Sequence, residues 1–262
     1  MHRPSVTDRA ARIGGLAYAL IAFVLTFVFF AWFVIFLGNL PKPSRVWVEP
    51  SVDIGGSLEP FAAAIIDIGL VALFGLQHSI MARPSFKAWW TRIVPKGLER
   101  ATYTMAAALV GIVMLVFWQP IPITLWHVSG PLAAPFWVLF AAGWLILLGA
   151  GINFNLAELL GLRQAWAWYR DRPIPPLTLK THWLYDWMRH PMYVGVLLGL
   201  WMTPRMTVGH ALMAATFTLY ILIAMRYEER DLSANFGRPY RAWREGCARD
   251  RLLPGRDGTG AR

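Results

Sequence analysis

A single cysteine, Cys247, occurs in 262 residues. It excludes an internal disulfide, and its place in a polar tail is compatible with a reducing compartment. Charge is scarce as well: Asp, Glu, Lys and Arg make up 15% of the chain, too little for an ordinary soluble domain. Acids are the scarcer sign, with 15 Asp and Glu against 25 Lys and Arg. The resulting +10 does not mark a nucleic-acid surface, because the cations fall in short blocks between apolar runs. That is the pattern of cytoplasmic loops beside an anionic leaflet. No internal repeat is present. No small-residue cleavage site follows the first apolar run, which leaves as Gly38-Asn39-Leu40-Pro41, so that run is expected to remain as a spanning helix.

What is abundant is apolar and aromatic surface: 56% hydrophobic residues, 14 Trp and 15 Phe, with a mean hydropathy of +0.44. The predicted architecture is an all-α polytopic membrane protein of five to six transmembrane helices, the last two forming a helical hairpin. Spans are expected at 13–37, 58–81, 101–118 and 132–152, each near the roughly 20 residues a bilayer requires. A basic, Trp-rich connection over 153–189 reads as an inner interfacial segment. A cofactor-binding hairpin and tail follow at 190–243, the first arm barely long enough to cross, and 255–262 is expected to be disordered. The loop from Arg83 to Arg100 holds five cations against Glu99 alone, whereas Gln119 to Pro131 carries no charged residue. Both termini are therefore expected in the cytoplasm, with membrane lipid around the spans. Asp67 falls near the middle of the second span and is costly there.

This topology gathers His78, Tyr103, Glu158, His190 and Glu229 on one face. Seven residues stand out: Arg189-His190-Pro191-Met192-Tyr193-Val194-Gly195. Pro191 suits the first turn of a helix, where its missing N–H costs nothing, and the free N–H groups there attract an anion. In the last arm Arg226 and Glu229 stand three apart, on one helix face. Such a set suits S-adenosylmethionine: the methionine carboxylate seeks Arg, His or a helix start, and the ribose diol seeks a carboxylate.

Tyr185, Arg-His-Pro-x-Tyr-x-Gly at 189–195, Arg226-Tyr-Glu-Glu229, Leu232, Phe236-Gly237, Tyr240 and Trp243 together resemble the isoprenylcysteine carboxyl methyltransferase superfamily of integral membrane methyltransferases. The resemblance covers about 177–243. It implies a cytoplasmic S-adenosylmethionine site built from His190, Tyr193, Gly195, Arg226, Glu229 and Tyr240, with Tyr185, Arg189 and Pro191 in the same motif. Trp183 departs from the pattern, since many members carry glycine there. Gln77-His78-Ser79-Ile80-Met81-Ala82, Phe86-Lys87, Pro95 and Glu99-Arg100-x-x-Tyr103 resemble two branches, the bacterial methanethiol S-methyltransferases and a denitrification-associated membrane family. The aromatic 153–172 segment favours the former.

The resemblance implies methyl transfer to a small thiol, with His78 as base and Tyr103 or His182 in support, because a thiolate is the competent nucleophile. A lipid or prenylated thiol as acceptor, and a non-catalytic membrane partner or small transporter, are the competing expectations. The spacing of the histidines supports no metal site. A reporter fused within Arg83–Arg100 should report cytoplasmic exposure, and one within Gln119–Pro131 should report the outer side; the reverse assignment contradicts the topology.

Overall fold

The computed structural model describes residues 6–40, 51–55, 58–174, 176, 179 and 182–249; the expected disordered tail at 255–262 lies outside the described residues. The chain runs through α1 (Val6–Gly38), α2 (Pro60–Ala82), α3 (Pro84–Trp90), α4 (Glu99–Phe117), strand β1 (Thr124–His127) and α5 (Ala134–Asn153). Three short helices follow in the connection, α6 (Leu156–Leu159), α7 (Leu162–Tyr169) and α8 (Leu184–Trp187). The hairpin is α9 (Pro191–Trp201), strand β2 (Arg205–Thr207) and α10 (Val208–Phe236), and α11 (Arg238–Arg249) closes the described chain.

Local chemistry sets the boundaries. Glu59 caps α2, its carboxylate accepting from the N–H groups of Phe61 and Ala62, with Pro60 in the first turn. Extended Arg83 before Pro84 ends α2, and the chain restarts as α3. Five helices are long and apolar enough to cross a membrane, at 8–38, 60–82, 96–117, 130–153 and 208–236. Their outward faces expose Phe61, Leu76, Leu132, Leu145 and Leu219, surface that lipid rather than water accommodates. The chain is a multi-pass helical membrane protein.

The two ends of the bundle differ in chemistry. At the basic end Arg12 donates to Trp168 O at 3.0 Å and to Asp171 at 2.8 Å. There too Arg100 donates to Leu159 O at 2.8 Å, and Arg83 pairs with Asp231 at 3.2 Å. At the opposite end Asp53 accepts from Asn39 and Thr207, and β1 pairs antiparallel with β2. Asp67 belongs to this end rather than to mid-membrane. Its Oδ1 accepts the Gln119 N–H at 2.8 Å, just past the end of α4. A buried carboxylate thus satisfies a backbone donor of the non-helical chain that follows α4.

The first hairpin arm is the unusual element. With 11 residues, α9 rises about 16 Å, roughly half of a hydrocarbon core. Extended chain completes the path: Met206 and Thr207 are fully buried, and Val208 and Gly209 donate to Ile123 O and Ile121 O. Irregular backbone at this depth is tolerated because protein, not lipid, surrounds it. Among the described residues the ribbon is the one departure from an all-helical expectation. At the other extreme α10 continues eleven residues past the apolar run that ends at Met225, because Arg226 to Asn235 are polar but mostly capable helix formers.

Glycines join α9 to α5. A Cβ at Gly143 would stand 2.7 Å from both Gly195 O and Gly199 N, and one at Gly195 would stand 2.6 Å from Gly143 O. The two backbones therefore touch, as small residues four apart allow in membranes. Gly143→Val should separate the helices and lower the thermal midpoint by several degrees, since overpacking costs about 1–3 kcal/mol. Gly69→Val, where a Cβ meets nothing within 4 Å, is the control and should change it little. Equal midpoints for the two variants contradict the close crossing.

Candidate active site

The first half of the site comes from α2 and α4. His78, four residues before the end of α2, and Tyr103, four residues after the start of α4, face each other, with His78 Nε2 2.6 Å from the Tyr103 hydroxyl and ring centroids 4.9 Å apart. Phe74, one turn earlier on α2, stacks on the imidazole at 5.5 Å. One face and one nitrogen of His78 are thereby fixed. Its Nδ1 is buried and has no hydrogen-bond partner among the described residues. Arg100 lies over the Tyr103 ring at 5.4 Å, anchored by the Leu159 carbonyl rather than paired with neighbouring Glu99.

The second half comes from the hairpin. Pro191 starts α9, and His190 at the N-cap provides no side-chain cap, so the first N–H groups of the helix lack that partner. Glu229, in the polar extension of α10, accepts from Arg189 at 2.9 Å and stands 3.2 Å from His190 Nε2. Glu228 accepts from the Tyr193 hydroxyl at 2.6 Å, and His190 stacks on Tyr193 at 5.5 Å. Two carboxylates, two cationic or basic groups and a phenol thus interlock across the hairpin. Tyr240 from α11 is fully buried, its hydroxyl unpartnered among the described residues. Burial, then Glu229, pushes that phenol above its ordinary range. Tyr185, buried and edge-on to Phe154 at 5.1 Å, is raised by burial and then by Glu228.

The halves meet. Ser79, next to His78 on α2, donates to the Tyr220 hydroxyl of α10 at 3.5 Å, and Glu228 follows Tyr220 on that same helix. One polar centre therefore lies between the His78–Tyr103 pair and the Arg189–Glu229 cluster. Not every expected residue joins it. His182 is exposed, and among the described residues its backbone carbonyl accepts from the Tyr185 N–H. Arg226 is exposed and makes no polar contact among the described residues, so the cation that reaches Glu229 is Arg189 and not Arg226. Gly195 turns toward α5, where the helix crossing requires it.

Some participants were not singled out by motif. Glu228 reads as part of a solvated helix end, yet it is the acid that holds Tyr193; Tyr220, eight residues earlier, lies on the same face of α10. Lys87 of α3 is half-buried near Glu99, Arg100 and Asp231, and burial pulls its ammonium below the usual lysine range. Trp183 occupies the position where the superfamily pattern has glycine, and it keeps a positive φ of 60°. Its ring packs on Gly149, where a Cβ would stand 2.7 Å from it. Contact on α5 thus accompanies a backbone conformation that favours glycine. Among the described residues no group of three His, Cys, Asp or Glu is placed to hold a metal ion.

The chain is similar to known proteins over most of its length. The chain is 43% identical over 225 residues to a methanethiol S-methyltransferase of Crocosphaera subtropica, covering 85% of this chain and 84% of that protein. It is 40% identical over 250 residues to the methanethiol S-methyltransferase of Pseudomonas deceptionensis, covering 94% and 92%. With the Mycobacterium tuberculosis protein of the same name it shares 36% over 230 residues, covering 87% and 92%. No family model matches the sequence, and no solved structure matches it. An alignment that takes in 94% of the chain includes both halves of the site, and at this identity the chain belongs to the methanethiol S-methyltransferase family.

Proposed function

We propose that the chain transfers a methyl group from S-adenosylmethionine to methanethiol, forming dimethyl sulfide, at the cytoplasmic face of a bacterial inner membrane. The observation that carries this reading is the state of His78. Phe74 covers its face, Tyr103 holds Nε2, and Nδ1 is left buried without a partner among the described residues. In the tautomer with the proton on Nε2, the Tyr103 oxygen accepts and Nδ1 keeps its lone pair. A buried nitrogen without a partner is costly unless a substrate proton meets it, so this lone pair is the one offered to the thiol.

The residues around it fit the donor. Glu228 and Glu229 offer carboxylates to ribose hydroxyls. Arg189, exposed Arg226 and the N–H groups at the start of α9 offer positive potential to a carboxylate. The buried Tyr240 hydroxyl offers one more hydrogen bond, and Tyr185 an aromatic wall. When bound, the donor supplies a methyl group already activated on a sulfonium. The chain's own contribution is alignment and proton removal. The thiol gives its proton to His78 Nδ1, and its sulfur bonds to the methyl carbon. The electron pair of the broken carbon–sulfur bond stays with the departing thioether. Arg100, over the Tyr103 ring, holds the partner that orients His78. The basic loops support an inward-opening site, and an apolar thiol can reach it through lipid.

Replacing His78 by Ala should lower turnover of purified protein at least 100-fold, the usual contribution of a general base, while donor binding by calorimetry stays within about twofold; undiminished turnover removes His78 from the reaction. Replacing Glu229 by Gln should weaken donor binding about tenfold or more, in line with the loss of a charge-assisted hydrogen bond. Unaltered donor affinity in Glu229→Gln would exclude that carboxylate from the donor site.

A further inference from the structure

Beyond the His78–Tyr103 pair, toward the end of the bundle that carries β1 and β2, the interior is closed by rings. Phe74 stacks on His78 and reaches Phe217 of α10 at 5.7 Å and Phe29 of α1 at 6.3 Å. Phe29 stacks on Phe33 at 5.8 Å, and Phe33 meets Trp144 of α5 edge-on at 5.7 Å. One layer of aromatic side chains therefore joins α1, α2, α5 and α10. The remaining spanning helix, α4, makes room for it: a Cβ at Gly111 would stand 2.4 Å from Phe29 Cε2. Gly111 lies about two turns beyond Tyr103 and Phe74 about one turn before His78. As α2 and α4 run in opposite directions, both positions lie on the same side of the pair. Phe29 and Phe217 are 6% and 5% exposed, and Phe74 and Trp144, partly buried, pack against their cluster.

We propose that Phe74, backed by Phe29 and Phe217, is the floor of the acceptor site and sets the longest thiol that can be methylated. The proposal rests on the reading that the acceptor gives its proton to His78 Nδ1. A thiol within hydrogen-bond reach of that atom lies beside the Phe74 ring. The methyl group of methanethiol fits against an aromatic face; a chain of several methylenes must displace a ring that is itself wedged between Phe217 and Phe29. Protein interiors resist such insertion because they are already close-packed. The acceptor class is therefore short alkanethiols, and a long-chain or prenylated thiol is excluded by packing instead of by charge. Where a pocket of this kind discriminates, each methylene counts for roughly 10- to 200-fold.

The test compares methanethiol with hexanethiol in lipid nanodiscs holding the wild-type chain, Phe74→Ala or Phe217→Leu, with saturating donor. The wild type should prefer methanethiol by about 100-fold or more in kcat/KM. Phe74→Ala should reduce that preference at least about tenfold, and Phe217→Leu should shift it in the same direction by less. Without donor, hexanethiol should raise the thermal midpoint of Phe74→Ala and leave that of the wild type unmoved. If Phe74→Ala does not fold, Phe217→Leu carries the comparison. A preference unchanged within about twofold in the folded variants, or a wild type that methylates hexanethiol as well as methanethiol, overturns the floor while leaving the methyltransferase reading intact. A wild type that methylates no thiol overturns that reading, and the floor with it.

Discussion

The carboxylates of Glu228 and Glu229 hold the two arms of the hairpin in register. Glu229 engages Arg189 and His190, and Glu228 engages the Tyr193 hydroxyl. These contacts tie the start of α9 to the polar extension of α10, which Arg83 of the α2 end also holds through Asp231. The pairing is only partly buried, with side-chain exposures of 29% and 26% for Arg189 and Glu229. Such a pair contributes little to stability. Its consequence is positional: cations, acids and a helix start converge at the bundle end nearest the His78–Tyr103 pair. The glycine crossing below it fixes the depth of α9, and β2, with Met206 and Thr207 buried, fixes its far end.

Much of this was legible in the chain. Apolar runs of spanning length, separated by basic or neutral loops, gave the helices, because a bilayer leaves few other solutions for backbone hydrogen bonding. Arg189-His190-Pro191 marked a helix start because proline belongs in a first turn. His78 and Tyr103 were legible as candidates, being polar groups near the ends of apolar helices, but their 2.6 Å contact was not. Pairing of two helices 25 residues apart is a tertiary fact that no local spacing encodes.

What escaped the sequence shares that origin. Arg226 and Glu229 do share a helix face in pattern, yet Glu229 finds its cation on the other arm, and Arg226 stays exposed. Asp67 seemed a charge stranded in lipid; only the fold shows the Gln119 N–H that meets it. The ribbon of β1 and β2 was hidden because its strands lie some eighty residues apart and are too short to show alternation. Gly195 belongs to a conspicuous motif, and its contact is with Gly143 of α5, which belongs to none.

Chemistry and packing converge on a small acceptor. In the proposed mechanism His78, fixed by Phe74 and Tyr103, is the base at the bottom of a polar centre whose upper part would take the nucleoside and carboxylate of the donor, and rings close the space beneath. The most direct measurement is headspace mass spectrometry of purified protein supplied with methanethiol and S-adenosylmethionine bearing a trideuteromethyl group. Dimethyl sulfide carrying one trideuteromethyl and one ordinary methyl is the expected product; a protein that binds the donor yet releases no labelled dimethyl sulfide contradicts methyl transfer to methanethiol.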